Sequence, residues 1–144
     1  GNWFITGIQA SALECVRKVD RDGYLGVIAL DMHALAQSTA FTRNRQVPAQ
    51  VQPRKLSASE LQATRRSLGA PSGYHVDTIT LAANPTLLAD ARQAGMAVVT
   101  YHLGQGSDRD HARMIRDARA RTGLLPSGAV IDGDPVQFCG QALR

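Results

Sequence analysis

Tyr24-Leu-Gly-Val-Ile-Ala-Leu30 carries no charge, is too short to be a helix of its own, and ends at Asp31. An apolar run without polar alternation predicts a strand buried on both faces, the kind found in parallel sheets. In an open α/β sheet ligands bind outside the carboxyl ends of the strands, so the acid that follows this run stands where chemistry is expected.

The flanking sequence supports the same architecture. Trp3-Phe-Ile-Thr6 reads as a short strand, and Gln9 to Val19 places Ala12, Leu13, Val16 and Val19 at helical spacing before the turn Asp20-Arg-Asp-Gly23. Met32, Leu35 and Ala36 start a helical pattern, but Thr42 to Pro53 is polar, basic and broken by Pro48 and Pro53, a loop. Ser57-Ala-Ser-Glu60 has the form of a capping box and predicts a helix over 58–68, stopped by Gly69 and Pro71. His75 to Leu81 is expected as a strand, and Asn84-Pro85 as the cap of a helix through Leu87, Leu88 and Ala91 that closes at Gly95. Met96 to Leu103 is a clear strand. Ser107-Asp-Arg-Asp110 opens a helix with Ala112, Ile115 and Ala118 inward, and Gly128 to Ile131 returns as a strand before Asp132-Gly-Asp-Pro135.

Strands alternating with helices predict an α/β fold. The expectation is a single three-layer Rossmann-like domain over 1–144, with a mainly parallel sheet of about five strands and a basic loop or helix insertion at about 41–70. No internal repeat interrupts it.

With 144 residues, 44% of them hydrophobic, the chain can bury one continuous core. No apolar stretch reaches the ~18 to 20 residues that cross a bilayer, and the N-terminus lacks the order of a secretory signal. A soluble, cytoplasmic protein with no membrane partner is expected. Cys15 and Cys139 match no zinc or redox spacing and are read as reduced thiols in the core or at its edge.

Fourteen of the sixteen cations are arginine. Residues 41 to 66 hold Arg43, Arg45, Arg54, Lys55, Arg65 and Arg66 against the single acid Glu60. The planar guanidinium suits phosphate, so a polyanion such as RNA is the expected partner, with Arg43, Arg45, Arg54 and Lys55 meeting its phosphates. A protein partner or a second copy of the chain is the other expectation.

Acids recur at strand ends and helix starts: Asp31, Asp108, Asp110, Asp132 and Asp134. Each has an ordinary role as a cap, a turn residue or a partner of the helix dipole. Jointly they stand near what is expected to be one edge of the sheet. Two carboxylates about 4 Å apart repel by roughly 4 kcal/mol at an effective dielectric of 20, which a divalent ion or a shared proton offsets. Oxygen-only donors favour Mg²⁺ or Mn²⁺. Such an ion can activate water and stabilise charge on a phosphodiester. Asp31, Asp108, Asp110, Asp132 and Asp134 are therefore the candidate metal ligands.

The histidines are expected in structural roles: His33 two residues past Asp31, His111 exposed beside Asp110, His75 and His102 at strand edges. Cys15 and Arg21 have phosphatase-loop spacing, but the segment is helical and lacks the glycines that expose backbone amides to phosphate.

Residues 25 to 31 and 77 to 143 resemble the NYN branch of the PIN-like nucleases. The likeness rests on Gly26-Val-Ile-Ala-Leu-Asp31, on the segment from Thr78 to His102, on Ser107-Asp-Arg-Asp110, and on Ala129-Val-Ile-Asp-Gly-Asp-Pro-Val-Gln-Phe138. The resemblance implies metal-dependent RNA cleavage with Asp31, Asp110 and Asp134 as catalytic metal ligands, and Asp108 and Asp132 as substitutes or supports. Ala34 stands where the family commonly has Asn. With the chain stopping at Arg144, the family's final helix and strand are expected to be missing, and the strand and helix of residues 3 to 19 to take the vacant edge.

Two other readings compete. Haloacid-dehalogenase-like phosphatases also begin with an apolar strand ending in Asp, and that likeness implies Asp31 as nucleophile with Asp132 and Asp134 holding magnesium. His33 occupies that family's second Asp position, however, and its Lys has no counterpart here. The third reading is a non-catalytic Rossmann-like interaction domain. Gly7-Ile-Gln-Ala10 is no dinucleotide fingerprint, so a nucleotide cofactor is not expected.

Overall fold

In the computed structural model, which describes residues 4–30, 53–102 and 108–144, strands and helices follow one another as the sequence predicts. The strands are β1 (Phe4–Gly7), β2 (Tyr24–Ala29), β3 (Ser72–Asp77), β4 (Ala97–Tyr101) and β5 (Gly128–Ala129). The described helices are α1 (Ala10–Val19), α2 (Ala58–Leu68), α3 (Thr78–Ala83), α4 (Leu87–Gln93), α5 (Asp108–Thr122) and α6 (Pro135–Ala142). The five strands form one sheet, and every neighbouring pair is parallel. The chain is an α/β protein of the expected class, consistent with a three-layer Rossmann-like domain.

Register explains where the core lies. Val27, Tyr74 and Val98 stand side by side across β2, β3 and β4, so they share one face of the sheet. Leu13 of α1, Leu61 and Leu68 of α2, Leu87, Leu88 and Ala91 of α4 and Ala118 of α5 join them in one buried cluster. A second cluster, Ala112 and Ile115 of α5 with Phe138 and Ala142 of α6, takes in Ala129 and Ile131. The opposite sheet face is closely fitted at two glycines. A Cβ on Gly26 would stand 2.6 Å from the His75 ring, and one on Gly73 would meet the Tyr24 hydroxyl at 2.4 Å and the Ala97 carbonyl at 2.5 Å.

The strand order, β1-β2-β3-β4-β5, is the order of the sequence. No reversal occurs, so the described sheet has no switch point at which a crevice opens between diverging connections. β2, which leads into Asp31, is separated from β5 by two strands, a sideways distance of about 14 Å at ~4.8 Å per strand. Among the described residues, a cleft lies between α5, which follows β4, and α6, which follows β5.

Several expectations change at this level. The strand expected over 75–81 is β3, earlier and shorter, and Thr78 to Ala83 is helical. The cause is Asp77, whose carboxylate accepts the Thr80 backbone N–H and the Thr80 hydroxyl, both at 2.8 Å, and so caps α3. Asn84 does not cap α4. Its side chain instead donates to the Arg54 and Thr80 carbonyls at 2.7 Å and accepts the Leu56 N–H at 3.0 Å, tying the approach to α2 onto α3. Ser57 caps α2 through the Glu60 N–H as expected, while the Glu60 carboxylate pairs with Arg54 rather than returning to Ser57. A helix does follow the last acidic pair: Asp134 accepts the Val136 N–H and Pro135 fills the first turn of α6. β1 lies at the edge beside β2. Cys15 and Cys139 are free and exposed, not core thiols.

Candidate active site

Among the expected ligands, Asp108 and Asp110 stand in the first turn of α5, and Asp132 and Asp134 in the turn that joins β5 to α6. The two segments are sewn together by Asp108. One of its oxygens accepts the Gly133 N–H at 2.7 Å and the other receives the Asp132 N–H at a marginal 3.5 Å. Gly133 has an ordinary φ, yet a Cβ there would lie 2.6 Å from the Asp108 carboxylate. Its place in the Asp-Gly-Asp turn is therefore dictated by close approach, not by a left-handed backbone.

The cleft that results has a volume of about 870 Å³ and is lined by Asp108, Asp110 and Asp134 on the acidic side. Arg109, Arg113 and Arg116 face the same space from α5, and Gln137 and Gln141 from α6. Asp132 does not line it; its side chain is exposed. The arginines recur at i, i+4 and i+7, so they share one face of α5 over about 10 Å of axis at ~1.5 Å per residue. Arg113 is paired with Asp110 at 3.0 Å. That contact is exposed and salt-screened, worth at most about 1 kcal/mol. Arg109 and Arg116 make no ion pair among the described residues.

Asp31, Arg43 and Arg45 lie outside the described residues. Arg54 and Lys55 are described, and neither lines the cleft: Arg54 is bound to Glu60, and the Lys55 ammonium donates to the Ala83 carbonyl at 2.7 Å. Their described partners fasten the approach to α2. The basic surface that does face the acids is the α5 stripe, which is not among the residues expected from the sequence. Its i, i+4, i+7 spacing is present in the sequence, but the apolar face of the same helix gives the stronger pattern.

A buried histidine backs the cleft. His111, expected at the surface, is 0% exposed, and its ring meets Phe138 edge-on at 5.1 Å between centroids. Its Nε2 lies 2.9 Å from the Thr100 hydroxyl, and its Nδ1 has no partner among the described residues. Burial pushes its pKa down to about 4; His102, stacked at 6.4 Å, adds to the depression and Asp108 opposes it. His111 is thus neutral at pH 7, a wedge that fixes α5 over β4. His102 hydrogen-bonds the Thr78 hydroxyl through Nδ1 at 3.0 Å. On the other sheet face His75, also expected at an edge, is buried in mid-sheet beside the Tyr24 hydroxyl at 3.3 Å, and burial lowers its pKa.

The donor set can be tested against a divalent ion. Among the described residues no three acidic, histidine or cysteine side chains are grouped as a metal centre. Asp108 has both oxygens occupied by backbone N–H groups, and Asp134 has one so occupied. The described cleft therefore offers no all-protein cage. What it fits is the manner in which Mg²⁺ is commonly held, by one or two carboxylates together with the phosphate of a substrate.

The chain matches no family model and no curated protein sequence. No described helix is long and apolar enough to cross a membrane.

Proposed function

We propose that this chain is a metal-dependent nuclease acting on RNA, in line with the PIN-like resemblance of its C-terminal half. The observation that carries the reading is the α5–α6 cleft, where carboxylates from two distant segments share one space with three arginines on a single helix face. Carboxylates alone would repel an RNA backbone and arginines alone would only bind it. The two together suit a phosphodiester that arrives with Mg²⁺ or Mn²⁺.

Asp110 and Asp134, which line the cleft, would hold the ion. Bound there, the ion supplies an activated water and a counter-charge for the phosphate. Asp108 keeps the Asp132–Asp134 turn against α5 and so sets the direction of Asp134. Arg109, Arg113 and Arg116 hold the phosphates, the forked guanidinium being suited to paired oxygens. Arg113 exchanges its exposed pairing with Asp110 for the phosphate once the carboxylate faces a cation.

The test is a cleavage panel of labelled RNA, single-stranded DNA and a generic phosphomonoester, each with Mn²⁺ and with chelator. Metal-dependent cutting of RNA is expected. Release from the monoester alone points to a phosphatase that uses Asp31, and silence on all three substrates points to a non-catalytic interaction domain.

A further inference from the structure

We infer that the α5–α6 cleft selects the base as well as the phosphate: Gln137 and Gln141 read adenine on a single strand whose backbone runs along Arg109, Arg113 and Arg116. The inference rests on the proposed RNA-cleaving function and adds base preference to it. The two walls of the cleft differ in kind. The α5 wall is cationic, whereas the α6 wall presents Gln137 and Gln141, one turn apart, over a floor closed by buried Phe138. Neither carboxamide has a hydrogen-bond partner among the described residues, so each keeps a donor and an acceptor turned to the cleft. A glutamine amide matches adenine, whose ring edge offers the N6 donor beside the N7 acceptor, with two parallel hydrogen bonds. In an RNA duplex those edges lie in a deep, narrow groove that side chains do not reach, so the reading requires an unpaired strand with its bases splayed out. The arginine stripe supplies the sequence-independent part of the affinity and the glutamines supply the discrimination.

The experiment is equilibrium binding of fluorescein-labelled 12-residue homopolymers of A, C and U to the full chain in chelator, over a series of salt concentrations. The wild-type chain is expected to bind the A polymer about fivefold or more tightly than the others, the lower end for one bidentate amide–base pair. Gln137→Ala/Gln141→Ala should bring the three affinities within about twofold of one another while leaving the salt slope unchanged. Arg109→Ala/Arg116→Ala should weaken all three alike and reduce the slope by about 1.4, two phosphate contacts at ~0.7 each. Cleavage of RNA without base discrimination in binding overturns the inference and leaves the nuclease reading standing. Discrimination that survives the glutamine double variant also overturns it. Failure to bind or cut any polymer overturns both.

Discussion

Replacing Gly133 by Ala would test how the acidic turn is held. The added methyl would sit 2.6 Å from the Asp108 oxygen that accepts the Gly133 N–H, well inside van der Waals contact. The carboxylate is the end of a flexible side chain and can swing aside, but in doing so it loses its 2.7 Å bond and the weaker one to Asp132. A hydrogen bond to a charged group contributes about 1.5 to 3 kcal/mol, and at this exposed turn water recovers part of it, leaving about 1 kcal/mol. For a chain of this size that is a fall of about 3 °C in melting temperature. Urea denaturation followed by far-UV circular dichroism measures the free energy for Gly133→Ala, for Asp108→Ala and for the two combined. Because both single variants break the same clamp, the double variant is expected to lose no more than either alone, a coupling of about 1 kcal/mol. Additive losses, with coupling under about 0.3 kcal/mol, would refute the clamp.

Other outcomes follow from the same geometry. Gly73→Ala drives a methyl against the backbone of β4 at Ala97, which cannot swing away, so about 2 kcal/mol or more of stability should be lost in the same urea assay. Asn84→Ala leaves the Leu56 N–H and the Arg54 and Thr80 carbonyls without their partner and should cost about 3 kcal/mol. His111 has its folded-state pKa lowered from 6.5 to about 4, so the folded chain resists the proton that the unfolded chain accepts. Its neutral form supports the fold fully above pH 6.5, and that support is lost as the pH falls from there toward 4, about 3 kcal/mol in all. Urea midpoints at pH 7.5 and 4.5 for the wild type and His111→Gln should differ in slope accordingly, and identical pH dependence would exclude His111 as the source.

The fold is legible because β2 and β4 are short apolar runs separated by helical patterns, which propensity and burial favour together, whereas β3, Ser-Gly-Tyr-His-Val-Asp, has no such pattern. β2, β4, α1 and α2 fall close to where periodicity puts them. The misreading at Thr78 arose because Asp77-Thr-Ile-Thr80 is β-branched and looks like strand, whereas the cap made by Asp77 and Thr80 depends on side-chain geometry that no periodicity reports. Likewise Asn84 has the look of a helix cap because that is its common role, but two partners about thirty residues back, the Leu56 N–H and the Arg54 carbonyl, draw it inward. At the candidate site the acids of α5 and of the Asp-Gly-Asp turn were visible as residues with helix-start and strand-end positions. Their tie through the Gly133 N–H was not, since it spans 25 residues of chain. The densest basic stretch of the sequence is 41–66, whereas Arg109, Arg113 and Arg116 are spaced at i, i+4 and i+7 and only a helix brings them to one face.

In the proposed nuclease Asp134 serves an ion and a phosphate besides capping α6. Asn caps a helix about as well as Asp, so Asp134→Asn removes the charge and keeps the fold. The decisive measurement is the single-turnover rate of cleavage of a labelled single-stranded RNA in Mn²⁺ by the wild type and by Asp134→Asn, with melting temperatures taken alongside. Expected are cleavage that chelator abolishes, a variant slower by about a hundredfold or more, the scale of losing one charge-stabilising group at an active site, and melting temperatures within a few degrees of each other. Equal rates in the two proteins, or cleavage indifferent to chelator, would contradict that role.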